Sequence, residues 1–442
     1  MSLGAAKAYL DVDELWGIWP GLDQDEKAEW FAQVDPEDAE DFFLSLPPED
    51  QAAVLLALPE KARRLWMRSL DPDDAADVLQ EVDEEHPRQG LFGMLEDATR
   101  REVTALLAYA EDHAGGLMSP RFARLRPEMT VDEAIAYLRR QARERVETIY
   151  YAYVLDARQH LLGVVSFREL FAAAGGKKVA DVMWDEPITV RDDADQETVA
   201  AIIAREDLMA LPVVNAEGAM IGIVTIDDIV DVVQEEATED IQKLGGMSAL
   251  DSPYLQTGLW EMVRKRAGWL TVLFAGSLLT TSAMSYYEEA MAKVVMLTIF
   301  VPLIISSGGN SGSQAATLVI RAMALGEVRL RDWLKVIKRE LISGLLLGLI
   351  LAGFGLARVY FGEWLLGSYG SHYVLLGLTV ASSLIGVVTW GTVSGAGLPF
   401  LLRRLGFDPA SASAPFVATL VDVVGIIIYF SIAQFFLADL LG

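Results

Sequence analysis

The chain has no cysteine and only four histidines among its 442 residues, and these two shortages exclude several classes of site. Without cysteine there is no disulfide bond and no thiolate metal site. His86, His113, His160 and His372 are far apart in the sequence and show no zinc-binding spacing. The metals that remain are hard cations held by carboxylate and neutral oxygens, such as Mg²⁺ or Ca²⁺.

Basic residues are scarce in the first half of the chain. Residues 241–442 hold 11 acidic and 14 basic residues, which leaves 52 of the 63 acids and 22 of the 36 bases to residues 1–240. The net charge is therefore −30 in the first part and +3 in the second. A field of the first sign repels nucleic acid and attracts cations. The N-terminus lacks the features of a signal peptide, so we expect this acidic half in the cytosol.

Long apolar runs fill the second half, and each can cross about 30 Å of hydrocarbon. The five predicted spans are 267–287, 291–325, 332–361, 372–402 and 412–440. A large soluble protein with buried helices is the alternative, but these runs are longer than ordinary core helices. We therefore predict a multi-pass protein of the cell membrane, with the lipid bilayer as a partner.

Lysine and arginine occur on one side of the predicted spans. They precede the first span at 264–266, separate the second from the third at 321–339, and separate the fourth from the fifth at 403–404. The alternate loops, 285–293 and 361–372, are nearly free of them. By the positive-inside rule, the N-terminus lies in the cytosol and, with five spans, the C-terminus lies outside.

A 12-residue repeat occupies part of the acidic half. Its units begin at Val34, Leu46, Leu58 and Leu70, and each start is followed by proline and acidic residues. Proline is tolerated in the first turn of a helix and acids favour its N-terminus, so each unit predicts a new short helix. Short helices with this period predict a superhelical stack. The acids on it are either a solvated face or cation ligands.

A second repeat follows. The segment 163–170, Gly-Val-Val-Ser-Phe-Arg-Glu-Leu, recurs 59 residues later as Gly-Ile-Val-Thr-Ile-Asp-Asp-Ile. Each copy predicts strand–helix–strand–strand–helix. These segments resemble a tandem pair of CBS domains. That resemblance implies an adenine nucleotide such as ATP in the cleft of the pair, with Thr225 and Asp228 at the ribose-contacting positions. The first copy has Ser166 and Glu169 there instead, which argues against two equivalent sites.

Carboxylates continue after the second copy. On a helix, Asp227, Asp231 and Glu235 are spaced i, i+4 and i+8, and no basic residue occurs between Arg205 and Lys243. Like charges stacked in this way destabilise a helix unless a cation neutralises them. We therefore predict a cation site. The candidate ligands are Asp227, Asp228, Asp231, Glu235, Glu236, Glu239 and Asp240.

A second acidic cluster, which includes Asp195 and Glu197, begins the helix of the second copy. Carboxylates at a helix start can be cation ligands, or they can simply cap the helix. Both interpretations remain open from the sequence.

Two features of the predicted spans indicate an ion path. Asp422 is the only acid well inside a span, and a carboxylate at that depth is costly unless it faces water or a cation. A Gly-rich polar break over 306–317 carries Asn310 and Gln314; such a segment indicates a water-filled cavity or close helix packing. One carboxylate per subunit beside neutral oxygens suits Mg²⁺, which keeps its waters. In a symmetric oligomer, Asp422 would form a charged ring.

From about residue 25 to the end, the order of these parts resembles the MgtE-type magnesium channels. The resemblance implies a homodimer with its pore on the two-fold axis and Mg²⁺ as both cargo and regulator. Asp422 matches the pore carboxylate, and Asn310, Gln314 and Ala418 match positions that line the pore. Asp408 matches an acid at the cytosolic end of the membrane region that can share Mg²⁺ with the acidic segment.

The predicted fold is multidomain: an α-helical superhelical N-domain, α/β tandem CBS domains and an all-α transmembrane domain of five helices. The predicted bounds are 1–24 for an N-terminal tail, 25–117 for the N-domain, 118–178 and 179–240 for the CBS copies, 241–265 for a connecting helix, and 266–442 for the pore domain.

The expected function is passive Mg²⁺ influx that stops when cytosolic Mg²⁺ bridges the acidic domains and stabilises the closed state. Two rivals remain: a CBS-regulated anion or secondary transporter, and a membrane enzyme with a nucleotide-binding regulatory domain. The spans offer no buried lysine or arginine for an anion. Because no nucleophile–base pair, Walker loop or HExxH motif occurs, we expect no enzyme activity.

Overall fold

Two units, Met1–Glu236 and Ala237–Gly442, make up the chain. The computed structural model describes residues 12–36, 38–141, 150–250, 254, 257–367 and 369–441. The first unit contains almost all of the acidic half. The second contains the apolar half and the last residues of the acidic segment.

The first unit begins with short helices, as the 12-residue repeat predicts. They are α1 Val12–Ile18, α2 Gln24–Phe31, α3 Ala39–Leu44, α4 Pro48–Ala57, α5 Glu60–Met67, α6 Pro72–Gln80, α7 Glu85–Phe92, α8 Asp97–Leu106 and α9 Ala114–Leu117. Proline occupies the first turn of α4 and of α6. Contacts run from α2 to α4, from α4 to α6 and from α6 to α8, so alternate helices stack in the order of the chain.

The expected tail over 1–24 is wrong for residues 12–24. Leu15 and Trp19 are buried in the core of the helical repeat, and the Trp19 ring meets Phe42 edge to face with 5.0 Å between centroids. Trp19 Nε1 also donates a hydrogen bond of 2.6 Å to the buried Asp50, which Lys27 neutralises. These apolar residues precede the first repeat unit, so its period did not include them. Residues 1–11 of the predicted tail lie outside the described residues.

The two CBS-like copies have the predicted element order. The first contains β1 Arg124–Leu125, α10 Val131–Gln141, β2 Tyr151–Leu155, β3 Leu161–Ser166 and α11 Phe167–Ala172; the second contains β4 Val190–Arg191, α12 Gln196–Glu206, β5 Ala210–Val214, β6 Met220–Thr225 and α13 Ile226–Leu244. In each copy the first strand is parallel to the second, and the second is antiparallel to the third. The last strand of each copy leads directly into its final helix, which places the acidic run on α13.

The predicted connecting helix over 241–265 is wrong. Residues 241–244 are the end of α13, and the described residues 245–250 are not helical. Gly246 adopts φ +75°, a left-handed conformation that commonly ends a helix. The next helix among the described residues starts at Leu259.

In the described part of the second unit, five long α-helices and two short ones follow α13. The bounds are α14 Leu259–Tyr286, α15 Glu288–Lys293, α16 Met296–Ala324, α17 Trp333–Leu366, α18 Tyr373–Arg404, α19 Ala414–Phe436 and α20 Ala438–Leu441. Four described segments are long and apolar enough to cross a membrane: Leu259–Tyr286, Leu330–Leu365, Gly370–Arg404 and Ala414–Phe436. The remaining long helix, α16, has 29 residues but carries the polar segment in its middle.

That Gly-rich segment does not break α16, which is helical throughout. A Cβ at Gly391 would lie 2.3 Å from the carbonyl oxygen of Gly308, and a Cβ at Gly395 would lie 2.1 Å from that of Gly312. The backbones of α16 and α18 therefore touch along a glycine seam, which we define by these four residues. Close helix packing, one of the two uses left open by the sequence, is the use that these glycines serve.

Candidate cation sites

Acidic side chains of α6, and Glu81 directly after it, lie near the charged side chains of α13. Asp74 interacts with Asp227, Asp77 with Asp228, and Glu81 with Glu235. The stripe on α13 was predicted, whereas its partners on α6 were not. In the sequence, these acids do not differ from the many other acids of the helical repeat. We call these two sets of carboxylates, on α6 and α13, the acidic interface.

The acidic interface shifts the pKa values of its own members. Burial and the charges of nearby acids, including Asp71 and Asp227, raise the pKa of Asp74 to about 6. Burial and neighbouring acids raise the pKa of Glu81 to about 7. Burial also raises the pKa of Asp228 to about 7, although a hydrogen bond from Thr225 opposes the shift. Each shift means that bringing these groups together as carboxylates costs free energy, which a bound cation or a proton offsets.

The pKa values of two other members move in the same direction. Burial, followed by the charges of Asp74 and Asp228, raises the pKa of Asp77 well above its ordinary value. Burial and then the charge of Asp227 raise the pKa of Asp231, which is more exposed. Glu235 is exposed on the same helix, and Glu236 accepts a hydrogen bond of 2.6 Å from Gln196 Nε2.

Among the residues that the structure describes, no three acidic or histidine side chains are close enough to form a ready-made metal site. The acidic interface is thus a concentration of charge rather than a coordination cage. This arrangement suits Mg²⁺, since that ion usually keeps several waters and contacts only one or two carboxylates directly.

The cluster at the start of α12 has a structural explanation. Asp195 is the N-cap of α12 and accepts a hydrogen bond of 2.9 Å from the Glu197 backbone N–H. The adjoining backbone also pairs with the start of α9, where Ala114 N–H donates to the Ala194 carbonyl oxygen at 2.8 Å. Asp195 and Glu197 are both exposed. A cation-binding role for them remains a prediction.

At the end of α13, a lysine stands between two of the predicted Mg²⁺ ligands. Lys243 Nζ donates to Asp408 Oδ2 at 2.7 Å and also pairs with Glu239. Burial opposes its charge, but its hydrogen bonds and the two negative charges raise the pKa of Lys243. Asp408 also caps the short turn Pro409–Ser411 through a hydrogen bond of 2.8 Å from Ala410 N–H. The structure therefore brings Glu239 and Asp408 together through an internal cation.

In the membrane region, α16 and α19 meet at the level of Asp422. A Cβ at Gly309 would lie 3.4 Å from Ala418 Cβ and 3.9 Å from Asp422 Oδ1. Asp422 is half-buried, and no basic side chain pairs with it in the described part of the chain. Near the start of α19, Ser313 Oγ donates to the Ala414 carbonyl oxygen at 3.0 Å. The carboxylate therefore lies beside the polar segment of α16.

The polar side chains of α16 form an exposed line. Ser306, Asn310 and Gln314 are spaced i, i+4 and i+8, and all three are exposed. Asn310 Nδ2 donates to Ser306 Oγ at 3.4 Å. We call these three residues the polar stripe of α16. A polar line at membrane depth requires water or a second protein surface against it, because lipid offers its amides no hydrogen bonds.

The two copies of the CBS-like pair differ at the predicted ribose-contacting positions. Thr225 Oγ1 donates to Asp228 Oδ2 at 2.7 Å, and Thr225 is buried. Ser166 and Glu169 form the matching capping box in the first copy, but they open onto a pocket of about 760 Å³. Its lining also includes Tyr150, Tyr151, Phe167, Arg168, Phe171, Ala172, Trp184 and Met209. The first copy thus has the more accessible site, although the sequence match favoured the second.

Family models match most of the chain. The MgtE model, described as a divalent cation transporter, matches residues 301–432. The MgtE intracellular N domain matches residues 10–112, and the CBS domain matches residues 114–176 and 179–235. The start of the N-domain match at residue 10 agrees with the burial of Leu15 and Trp19.

Whole relatives are similar as well. The magnesium transporter MgtE of Thermus thermophilus is 44% identical over 362 residues, which cover 81% of this chain and 78% of that protein. The magnesium transporter MgtE of Bacillus subtilis is 35% identical over 346 residues, which cover 78% and 74%. A crystal structure of the cytosolic domain of the Mg²⁺ channel MgtE in complex with ATP is 41% identical. It covers 51% of this chain and 92% of that chain, with a TM-score of 0.47.

Proposed function

Because this chain belongs to the MgtE family and is a Mg²⁺ transporter rather than an enzyme, we propose that it works as a homodimeric channel. In this proposal, Mg²⁺ passes Asp422 on the two-fold axis and closes the channel from the cytosolic side by binding the acidic domains. The observation that carries the proposal is the position of Asp422 in an apolar helix beside exposed amides of α16, with no basic partner among the described residues.

The exposed polar stripe of α16 supports a path shared by two copies. A second copy that brought its own stripe and Asp422 against the first would enclose a channel lined by carboxylate, amide and hydroxyl oxygens. Two carboxylates with neutral oxygens around them suit a hydrated divalent ion. They would select for charge without stripping every water, so the ion could also leave.

The acidic interface supports the gate. Without a bound cation, the carboxylates of α6 and α13 repel one another and favour separation of the helical repeat from the second CBS copy. Mg²⁺ stabilises the assembled arrangement by its higher affinity for it, and the equilibrium shifts by that difference alone. The basic residues at 264–266 and 403–404 support cytosolic placement of this region and, with five spans, an external C-terminus.

The pocket of the first CBS copy supports nucleotide binding as a modulating input. Trp184 and Phe171 are exposed aromatic side chains that can stack on a base, and Arg168 can pair with phosphates. Ser166 and Glu169 offer a hydroxyl and a carboxylate to a ribose. We therefore prefer this pocket to Thr225 and Asp228 as the ATP site.

The test of the pore is Mg²⁺ uptake into proteoliposomes that contain the full chain, with Mg²⁺ varied on the side of the cytosolic domains. Asp422→Asn should abolish selective Mg²⁺ uptake, since it removes the charge and keeps the shape. Asp422→Glu should retain part of it. Unchanged selective uptake by Asp422→Asn would refute the pore role.

The same vesicles test the gate. Replacing Asp227, Asp231 and Glu235 with Ala should leave the channel conducting at Mg²⁺ concentrations that close the unmodified protein. If that variant still closes at the original Mg²⁺ concentration, the acidic interface is not the sensor. In that case the pore assignment would stand and the gating assignment would be withdrawn.

A further inference from the structure

A pocket of about 830 Å³ lies in the second unit, where α13 ends and where α14 and α19 begin. Its lining includes Gln242 from the last turn of α13 and Met247 and Leu250 from the segment that follows. Arg266 and Leu270 line it from the first half of α14, and Pro415 from the first turn of α19. None of the functions described above uses this pocket.

The walls of the pocket are held in place by hydrogen bonds. Ser248 N–H donates to the Lys265 carbonyl oxygen at 3.1 Å, and Leu250 N–H donates to Gln242 Oε1 at 2.6 Å. Gly246 turns the chain with a positive φ of +75°, and a Cβ there would lie 2.9 Å from the Trp269 ring. The segment after α13 is thus folded against α14 rather than lying loosely over it.

The described lining has one charge, the guanidinium of Arg266, and no carboxylate. Five of the other lining residues are methionine or leucine, and Thr238, Gln242 and Tyr254 add uncharged polar groups. A metal cation would find no ligand of suitable charge here. An anion with a large apolar body fits better: its charge can pair with Arg266, and its apolar part can cover Met247 and Leu270.

The surroundings indicate where such a molecule comes from. Arg264 and Lys265 precede Arg266, and their charge places this end of α14 at the cytosolic surface in the proposed orientation. Leu270 is 65% exposed, and the apolar window of α14 buries none of its residues against the rest of the chain. The pocket therefore faces both the level of lipid phosphates and the start of the acyl chains.

We propose that this pocket binds an anionic phospholipid of the cytosolic leaflet, with its phosphate on Arg266 and the start of its acyl chains along Leu270. The proposal rests on the proposed orientation of the chain. A lipid seated there touches Pro415 in the first turn of α19, the helix that carries Asp422. Anionic lipid thereby stabilises one position of the pore-lining helix relative to the end of α13.

Native mass spectrometry of the full chain, extracted from liposomes of phosphatidylglycerol and phosphatidylcholine, tests the proposal. We expect one phosphatidylglycerol per chain to survive extraction. Arg266→Gln should lower its occupancy at least tenfold. Arg264→Gln is the matched control. It removes the same charge two residues earlier, from a side chain that does not line the pocket, and this variant should keep the lipid. Met247→Trp, which fills the pocket and leaves every charge in place, should also lose it.

Equal loss in Arg264→Gln and Arg266→Gln would mean diffuse surface attraction and would overturn the proposal. So would the absence of retained phosphatidylglycerol in the unmodified protein. Dissociation into single chains in Arg266→Gln would show that a second copy covers the pocket instead. Mg²⁺ uptake is measured in the same liposomes. Failure of uptake with lipid still retained would count against the channel and not against the lipid site.

Discussion

Lys243 donates a hydrogen bond of 2.7 Å to Asp408, a residue 165 positions further along the chain. Its ammonium group also pairs with Glu239, one turn earlier on α13. Asp408 and Glu239 are both predicted Mg²⁺ ligands, so an internal cation holds together the carboxylates that an external cation would bridge. Because these partners raise the pKa of Lys243, we expect the charged lysine to compete with Mg²⁺ for them.

Replacing Lys243 with Met should therefore change the Mg²⁺ requirement for closure. With the ammonium removed and the aliphatic length kept, Glu239 and Asp408 are left uncompensated and become available to Mg²⁺. We expect the Mg²⁺ concentration for half-maximal closure to fall about threefold to tenfold, where tenfold corresponds to about 1.4 kcal/mol. Uptake into proteoliposomes measures it.

Lys293→Met is a suitable control, because Lys293 forms a similar pair with Glu289 four residues earlier, at 3.1 Å. It should leave the Mg²⁺ dependence unchanged. A Lys243→Met channel that needs more Mg²⁺ to close would mean that the lysine supports the closed state and does not compete for its ligands.

Neutralising the α6 side of the acidic interface should make assembly of the first unit insensitive to Mg²⁺. The triple variant Asp74→Asn, Asp77→Asn and Glu81→Gln keeps the shapes and removes the repulsion as well as the ligands. Limited proteolysis of the full chain should show equal protection with and without Mg²⁺, whereas the unmodified protein should gain protection when Mg²⁺ is added.

A matched triple variant exists on α3 and just before it. Asp38→Asn, Glu40→Gln and Asp41→Asn change the same residue types at exposed positions of the same helical repeat. This variant should keep the Mg²⁺ response. Loss of the response in both triples would attribute it to total charge, which the proposal does not allow.

The raised pKa values predict a pH dependence. Asp74 has a pKa of about 6, and Glu81 and Asp228 have pKa values of about 7, all above their ordinary values of 3.8, 4.5 and 3.8. The assembled state therefore binds protons more tightly than the separated state. Its stability without Mg²⁺ is fully present near pH 4 and is lost as the pH rises through about 7.

Mg²⁺-free protein should accordingly resist proteolysis better at pH 5.5 than at pH 8, when each digestion is normalised to an unstructured peptide. Added Mg²⁺ should restore resistance at pH 8 and have little further effect at pH 5.5. Resistance that rises with pH in the absence of Mg²⁺ would contradict the carboxylate shifts.

The glycine seam should tolerate no side chain. Gly395→Ala would place a Cβ 2.1 Å from the Gly312 carbonyl oxygen, so α16 and α18 must separate. Overpacking of this kind costs about 1–3 kcal/mol. Gly353→Ala, in an open part of α17, should be neutral or stabilising, because alanine favours a helix by about 1 kcal/mol. Thermal unfolding in detergent compares the two, and an equal effect would contradict the packing explanation.

The periodicity of the sequence predicted those features that depend only on the spacing of residues along the chain. The stripe on α13 follows from i, i+4 positions, and the two CBS-like copies follow from a 59-residue repeat. The partners of the stripe could not be predicted in the same way. Asp74, Asp77 and Glu81 gain their proposed role from tertiary contact, and nothing in their local sequence distinguishes them from the other acids of the helical repeat.

The errors have physical causes too. The prediction of a connecting helix was wrong because the charged and apolar residues of 241–265 follow a helical pattern, whereas Gly246, in a left-handed conformation, ends α13. The prediction of a break in α16 was wrong because each glycine costs a helix only about 1 kcal/mol, and the backbone contact between α16 and α18 compensates for this cost. The sequence match predicted Thr225 and Asp228 as the ribose-contacting residues, but no sequence feature indicated the accessible pocket beside Ser166 and Glu169 of the first copy.

At the glycine seam, α16 and α18 pack backbone against backbone, which leaves the two helices little freedom to slide past each other. Tyr429 connects α19 to α16 through a 2.8 Å hydrogen bond to the Leu297 carbonyl oxygen, and Ser313 of α16 binds the opposite end of α19. Because these two contacts hold α19 near both of its ends, we expect the helix to rotate about its own axis rather than to slide along it. Asp422 lies midway along α19 between these two contacts. Small rotations of α19 would then move the Asp422 carboxylate into or out of the proposed ion path while α16 and α18 stay in place.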